Sequence, residues 1–153
     1  MATIPAPQER FSHGFVRPVR HREYVEAHQQ LLDAMSVMEE LTASSELNPL
    51  RLSHARLRVT RASLERRELF RKVVAQLGRN PTTAIAHALA VLQRHDLELL
   101  DLTSEHLATW TPARIKADSN GYCESTRNIR AKSRANIERE IRLLYPLLGT
   151  DHD

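Results

Sequence analysis

The chain has 153 residues, 41% hydrophobic and 27% charged, with a net charge of +3. That is the size and composition of one globular domain. No apolar run approaches the ~20 residues of a membrane span, the first residues lack the apolar core of a secretory signal, and the single cysteine, Cys123, cannot build a disulfide framework, so a cytoplasmic location is expected.

Only four glycines occur and aromatic residues make up 5%. No stretch alternates with period 2, whereas long stretches repeat at 3, 4 and 7, so the expected class is all-α. Residues 1–17 and 149–153 read as flexible tails around a bundle spanning 18–148. Prolines punctuate the bundle: Pro18, Pro49, Pro81 and Pro112 each precede a helical pattern. Asn48, Asn80 and Thr111 stand before three of them as expected N-caps, a position where a polar side chain satisfies an orphan N–H.

The first helix is expected from about Val19 to Leu41, with Tyr24, His28, Leu31, Leu32, Met35, Met38 and Leu41 on its inner face. The second is expected from about Leu50 to Leu77, facing inward with Leu52, Ala55, Val59, Ala62, Leu69, Val73 and Leu77, and closed by Gly78 and Arg79. The third is expected from about Thr82 to Trp110, presenting Ile85, Leu89, Leu92, His95, Leu99, Leu102 and His106. The fourth ends near Leu148, and Ser119-Asn120-Gly121 is a point where Pro112–Ala117 can separate from it. Four such helices with short links predict an antiparallel up-down-up-down four-helix bundle.

The second and fourth helices are rich in Lys and Arg, and the first and third in Asp and Glu. In an up-down bundle that sets acid against base at every neighbouring pair. A nucleic-acid surface is the alternative account of the excess charge, but no basic stripe interleaved with aromatics accompanies it.

Polar residues fall on the inner faces, where they need partners. Counting residues from each link at ~1.5 Å rise puts His28, Arg61 or Glu65, His95, and Asn136 or Glu140 at one level. His28 lies in EAHQQLLDAM and His95 in QRHDLELLDL. Arg61-Ala-Ser-Leu-Glu65 runs into Leu69-Phe70, and NIEREIRLLYPLL, Asn136 to Leu148, ends in Leu-Tyr-Pro. From about Arg20 to Leu148 the chain resembles the hemerythrin-like (HHE cation-binding) family. That family has one His on the first and third helices and His-x-x-x-Glu on the second and fourth, the last running into Leu-Phe/Tyr-Pro. The resemblance implies a bundle built around two irons.

No His-x-x-x-Glu occurs in this chain, nor a Glu-x-x-His. Arg61 and Asn136 stand where the motif histidines would be, and the alternative register of the second helix sets Ala62 and Arg66 there. An arginine brings a permanent positive charge to a cation's place. Three readings stand. In the first, the centre is a degenerate site paired internally, with Arg61 reaching Glu65 and Glu140. In the second, His28, Glu65, His95 and Glu140 keep one metal, iron or zinc. In the third, these are core histidines satisfied by neighbours. His21 and His106 are candidates for a second polar layer. His87 is the one weak candidate for a phosphotransfer histidine.

The expected function is that of a non-enzymatic sensory or partner-binding bundle with a degenerate metal centre and no resident cofactor. The alternatives are a metal-binding protein of oxygen, redox or iron response and a basic regulator associated with nucleic acid. The expected partner is a protein or a small ligand, without membrane or nucleic acid, and a homodimer is open.

Overall fold

A computed structural model describes residues 17–149. The expected tails lie outside the described residues except Arg17 and Gly149, as do His13 and His152. The described chain is helical and holds no strand. The elements are α1 (His21–Ala43), α2 (Pro49–Leu77), α3 (Thr83–Thr109), α4 (Pro112–Ala117) and α5 (Ser119–Leu144), followed by a 3₁₀ turn over Tyr145–Leu147. No described helix is long and apolar enough to cross a membrane.

Local chemistry sets these boundaries. Asn48 Oδ1 accepts from Arg51 N at 3.0 Å, with Pro49 opening α2. Thr111 Oγ1 accepts from Arg114 N at 3.2 Å and caps α4. The cap of α3 is Thr82, not Asn80: Thr82 Oγ1 accepts from Ile85 N at 3.2 Å. Asn80 instead takes the left-handed turn between α2 and α3 at φ 53°, a conformation asparagine tolerates better than most residues. The break before the last helix falls at Asp118, whose Oδ1 accepts from Gly121 N at 3.0 Å. Pro112–Ala117 is thus a separate short helix, as expected, and Ser119-Asn120-Gly121 is the first turn of α5 rather than the break itself. A Cβ on Gly121 would lie 2.3 Å from Asp118 Oδ2, so a larger residue there would push the capping carboxylate aside. Val19 precedes α1; it is buried, and its N–H donates to Gln76 Oε1 at 2.9 Å.

The apolar core runs in three patches along the helices. Val19, Tyr24, Phe70, Val73, Leu89, Leu92 and Leu144 form one end. Leu31, Ala34, Met35, Ala62 and Ile137 form the middle. Met38, Leu52, Ala55, Trp110, Ile115 and Tyr122 form the other end. Helix α1 packs against α2 and α5, and α3 packs against α5. Between the first and middle patches the inner faces turn polar.

Candidate functional site

Helix α2 buries Leu52, Ala55, Ala62, Arg66, Phe70 and Val73. Those spacings of 3, 4 and 7 trace one stripe of a 3.6-residue helix, and Arg66 lies on it. Arg61 and Glu65 each stand about 100° around the helix from a buried neighbour and are exposed. The expected pairing of Arg61 with Glu140 across the core therefore does not occur; the register that places Ala62 and Arg66 inward is the one the packing adopts. Because Arg61 meets water, Arg61→Ala is expected to change unfolding free energy by less than about 0.5 kcal/mol, measured by urea denaturation.

Arg66 is 4% exposed and reaches two helices. Its Nη1 donates to both carboxylate oxygens of Glu140 at 2.9 Å. Its Nη2 donates to Asp96 Oδ1 at 2.6 Å. Phe70, one turn along α2, underlies the guanidinium with its ring centroid 5.6 Å away. Arg67 adds a second bridge to α3, donating to the Asp96 carbonyl at 3.2 Å and lying 3.5 Å from its carboxylate. Two guanidiniums thus face two carboxylates. Burial works against the charge of Arg66, but Glu140 and Asp96 outweigh it and raise its pKa.

Helix α1 closes the cluster from the other side. Tyr24 Oη donates to Glu140 Oε1, and His28 Nε2 lies 3.4 Å from the same oxygen. His28 Nδ1 lies 2.5 Å from Tyr145 Oη. Burial, then the negative charge of Glu140, raises the Tyr24 phenol so that it stays a donor. The same two causes raise Tyr145 to about 12. The Leu144-Tyr145-Pro146 end of the chain therefore contributes a working hydrogen-bond partner to the centre.

Helix α3 places its residues differently from the expectation. Leu89, Leu92 and Asp96 are its buried residues, so the stripe passes through Asp96. His95 is turned outward, 27% exposed at the side chain, with Nδ1 3.6 Å from Glu98. His95 touches the centre only through its backbone, where its carbonyl accepts from Asn136 Nδ2 at 3.3 Å. Asn136 Oδ1 accepts from Arg139 Nη1 at 3.0 Å, so the Asn136 amide is satisfied at both ends.

His21 and His106 form no common layer. His21 packs edge-on against Tyr145 with ring centroids 4.8 Å apart. His106 stacks on Tyr122 at 5.6 Å, and its Nδ1 lies 2.7 Å from Ser125 Oγ. These contacts lie at opposite ends of α5, about 35 Å apart along its axis.

Of the expected ligands, only His28 and Glu140 come together. Glu65 and His95 do not join them, and Tyr24, Arg66, Asp96 and Tyr145 do. Among the described residues no three His, Cys, Asp or Glu side chains form a group able to hold a metal ion. The residues present do not fit an iron or zinc ion: both Glu140 oxygens already accept from a guanidinium, and a cation between His28 and Glu140 would meet the positive charge of Arg66. No protein-family model, curated protein or solved structure matches the chain.

Burial alone would raise the pKa of Glu140; the hydrogen bond from His28, the charge of Arg66 and the hydrogen bond from Tyr24 outweigh it and hold the carboxyl below its ordinary 4.5. As pH falls, the unfolded chain then takes up this proton before the folded one does. The stability that the ionised group contributes is complete above its ordinary pKa and is lost as pH falls through the depressed value. Urea midpoints measured from about pH 7 down to about pH 2 are expected to drop on the acid side, with a shallower drop for Glu140→Gln. Equal slopes would show that Glu140 does not drive the acid limb.

Proposed function

We propose that the chain is a non-enzymatic binding bundle of the hemerythrin-like kind, with α1, α2, α3 and α5 running up, down, up and down. In this reading a protein cation takes the place of metal at the centre. The observation that carries it is the Arg66 guanidinium held between Glu140 and Asp96, at the depth where the resemblance puts the irons. A buried carboxylate needs a countercharge, and here arginine supplies it without exchange or redox change. Nothing in the cluster has a free nucleophile or an open coordination position. The work of such a protein is to bind a partner or small ligand on its outer faces and crevices.

The test is elemental analysis of the purified protein, followed by titration with iron(II) and zinc. The expected outcome is no stoichiometric metal and no shift in Tm on addition. One equivalent of bound metal, lost on Glu140→Gln, would overturn the proposal in favour of a metal-binding protein.

A further inference from the structure

A crevice of about 270 Å³ opens between α2 and α3 and descends to α1 and α5. Its floor is buried and apolar: Met35 at 1% exposure, Met38 at 5% and Tyr122 at 0%. Its mouth is edged by the exposed Leu64, Leu100 and Leu107. The volume is just under the range of small-molecule sites, about 300–1,000 Å³. It suits one ring or one short acyl chain.

The charge of the lining has one sign. Arg56, Arg66, Arg67 and Arg130 contribute to it, and no Asp or Glu does. Arg66 and Arg67 are matched by Asp96 and Glu140 in the centre described above. Arg56 and Arg130 are in no ion pair among the described residues. Arg56 donates to the Trp110 carbonyl at 2.8 Å, a neutral acceptor. Arg130 is 8% exposed, and its buried Nη1 has no hydrogen-bond partner. Burial lowers its pKa, and Arg134 and Arg127 add to that; Glu39 opposes them but is itself held by Arg134 at 2.6 Å. Two other titratable groups line it: burial raises the Tyr122 phenol, and His106 has a pKa lowered to about 4 by burial and then by Arg56, so both are neutral near pH 7 and neither repels an anion nor competes for the guanidiniums.

A buried donor without an acceptor is costly, and a guanidinium binds a carboxylate through two parallel hydrogen bonds. We propose that the crevice between α2 and α3 binds a small organic carboxylate, its hydrocarbon body on Met35, Met38 and Tyr122 and its carboxylate on Arg130. A second copy of the chain fits less well, because a two-fold contact sets like surfaces together and the crevice lining carries cations without acids. The proposal rests on the reading of the chain as a binding bundle and names its ligand class. It is tested separately from the metal-free centre, since carboxylate titration and elemental analysis read different properties.

The probes are octanoate, 1-octanol as its uncharged counterpart and acetate as its headgroup, each titrated calorimetrically into the full chain. Octanoate is expected to bind one per chain, about tenfold or more tighter than 1-octanol, with acetate weaker than either. Arg130→Gln is expected to bring octanoate down to the level of 1-octanol. Ser104→Trp, on the exposed rim, is expected to weaken both about tenfold by blocking the mouth, and it decides the matter if Arg130→Gln fails to give a helical circular dichroism spectrum. Octanoate binding no tighter than 1-octanol overturns the proposal. So does binding indifferent to Ser104→Trp, and so does light scattering that finds a dimer split by Ser104→Trp and unaffected by octanoate.

Discussion

Arg66→Ala is expected to lower unfolding free energy by about 3–5 kcal/mol, the usual loss when one partner of a buried ion pair is removed. The substitution removes the guanidinium that Glu140 and Asp96 share. Glu140 keeps Tyr24 and His28, and Asp96 keeps Arg67, so the loss should fall short of stranding two bare carboxylates. Against a typical total of about 5–15 kcal/mol, it is enough to leave a substantial unfolded fraction near 37 °C. The informative comparison is Arg66→Met with Asp96→Leu and Glu140→Leu. Removing all three charges also removes their desolvation cost, and such replacements are neutral or stabilising by about 1–4 kcal/mol in other buried clusters. The cluster then counts as a device that is expensive to break and cheap to delete. If Arg66→Ala is as harmless as Arg61→Ala, the guanidinium is not buried between the carboxylates.

The second large effect is a gain. Ala62→His, Arg66→Glu and Asn136→His together remove the internal cation and set a His and a Glu four residues apart on α2 and again on α5. Ala62, Arg66, Asn136, Glu140 and His28 are all buried at 7% exposure or less, so every new donor starts from an inward position. Without metal the variant carries extra buried acid and is expected to be less stable than the parent. With free zinc about a thousandfold above its Kd, it should recover about 4 kcal/mol, or about 8–16 °C in Tm for a chain of this size. The parent should not respond. Nor should the pair Arg61→His and Asn136→His, because a side chain at position 61 points to water. A well-folded triple variant whose Tm ignores both zinc and iron(II) would count against the hemerythrin-like proposal.

How much of this was legible in the sequence differs from element to element. The helices were, because each rests on local signals: Asn48 and Thr111 before prolines, and inner-face residues at spacings of 3 and 4. The errors at the links came from close competitors. Asn80 and Thr82 are both good caps two residues apart, and only the backbone reveals that Asn80 takes the left-handed turn. The centre was half legible. His28 and Glu140, read as inward at one level, are buried and meet. Arg66 also lies on its stripe, between Ala62 and Phe70, where the alternative register of the second helix puts it. The motif pattern favours a carboxylate there and so points to Glu65, one residue and about 100° away. His95 and Asp96 differ by the same step: a histidine was expected at a ligand level, whereas Leu89 and Leu92 continue to Asp96. In the sequence, Tyr24 looks like apolar filling and Tyr145 like part of a motif. Their hydroxyls matter only once a carboxylate is known to lie within reach. Cross-helix distances of this kind have no trace in one sequence.

The bridge from α2 to α3 and α5 has a consequence for how the helices settle. The apolar faces here are built from Leu, Ala, Val and Met at near-regular intervals. Greasy stripes of that sort tolerate sliding, since a helix shifted by one turn still buries a Leu or an Ala. A guanidinium does not tolerate it. One turn is about 5.4 Å, which takes Arg66 out of reach of Glu140 and Asp96 together and leaves buried charges without a countercharge. Hydrophobic packing decides which faces meet; the ion cluster decides at what height they meet. The same pins act on α3 through Asp96 and on α5 through Glu140, so the three helices share one vertical register.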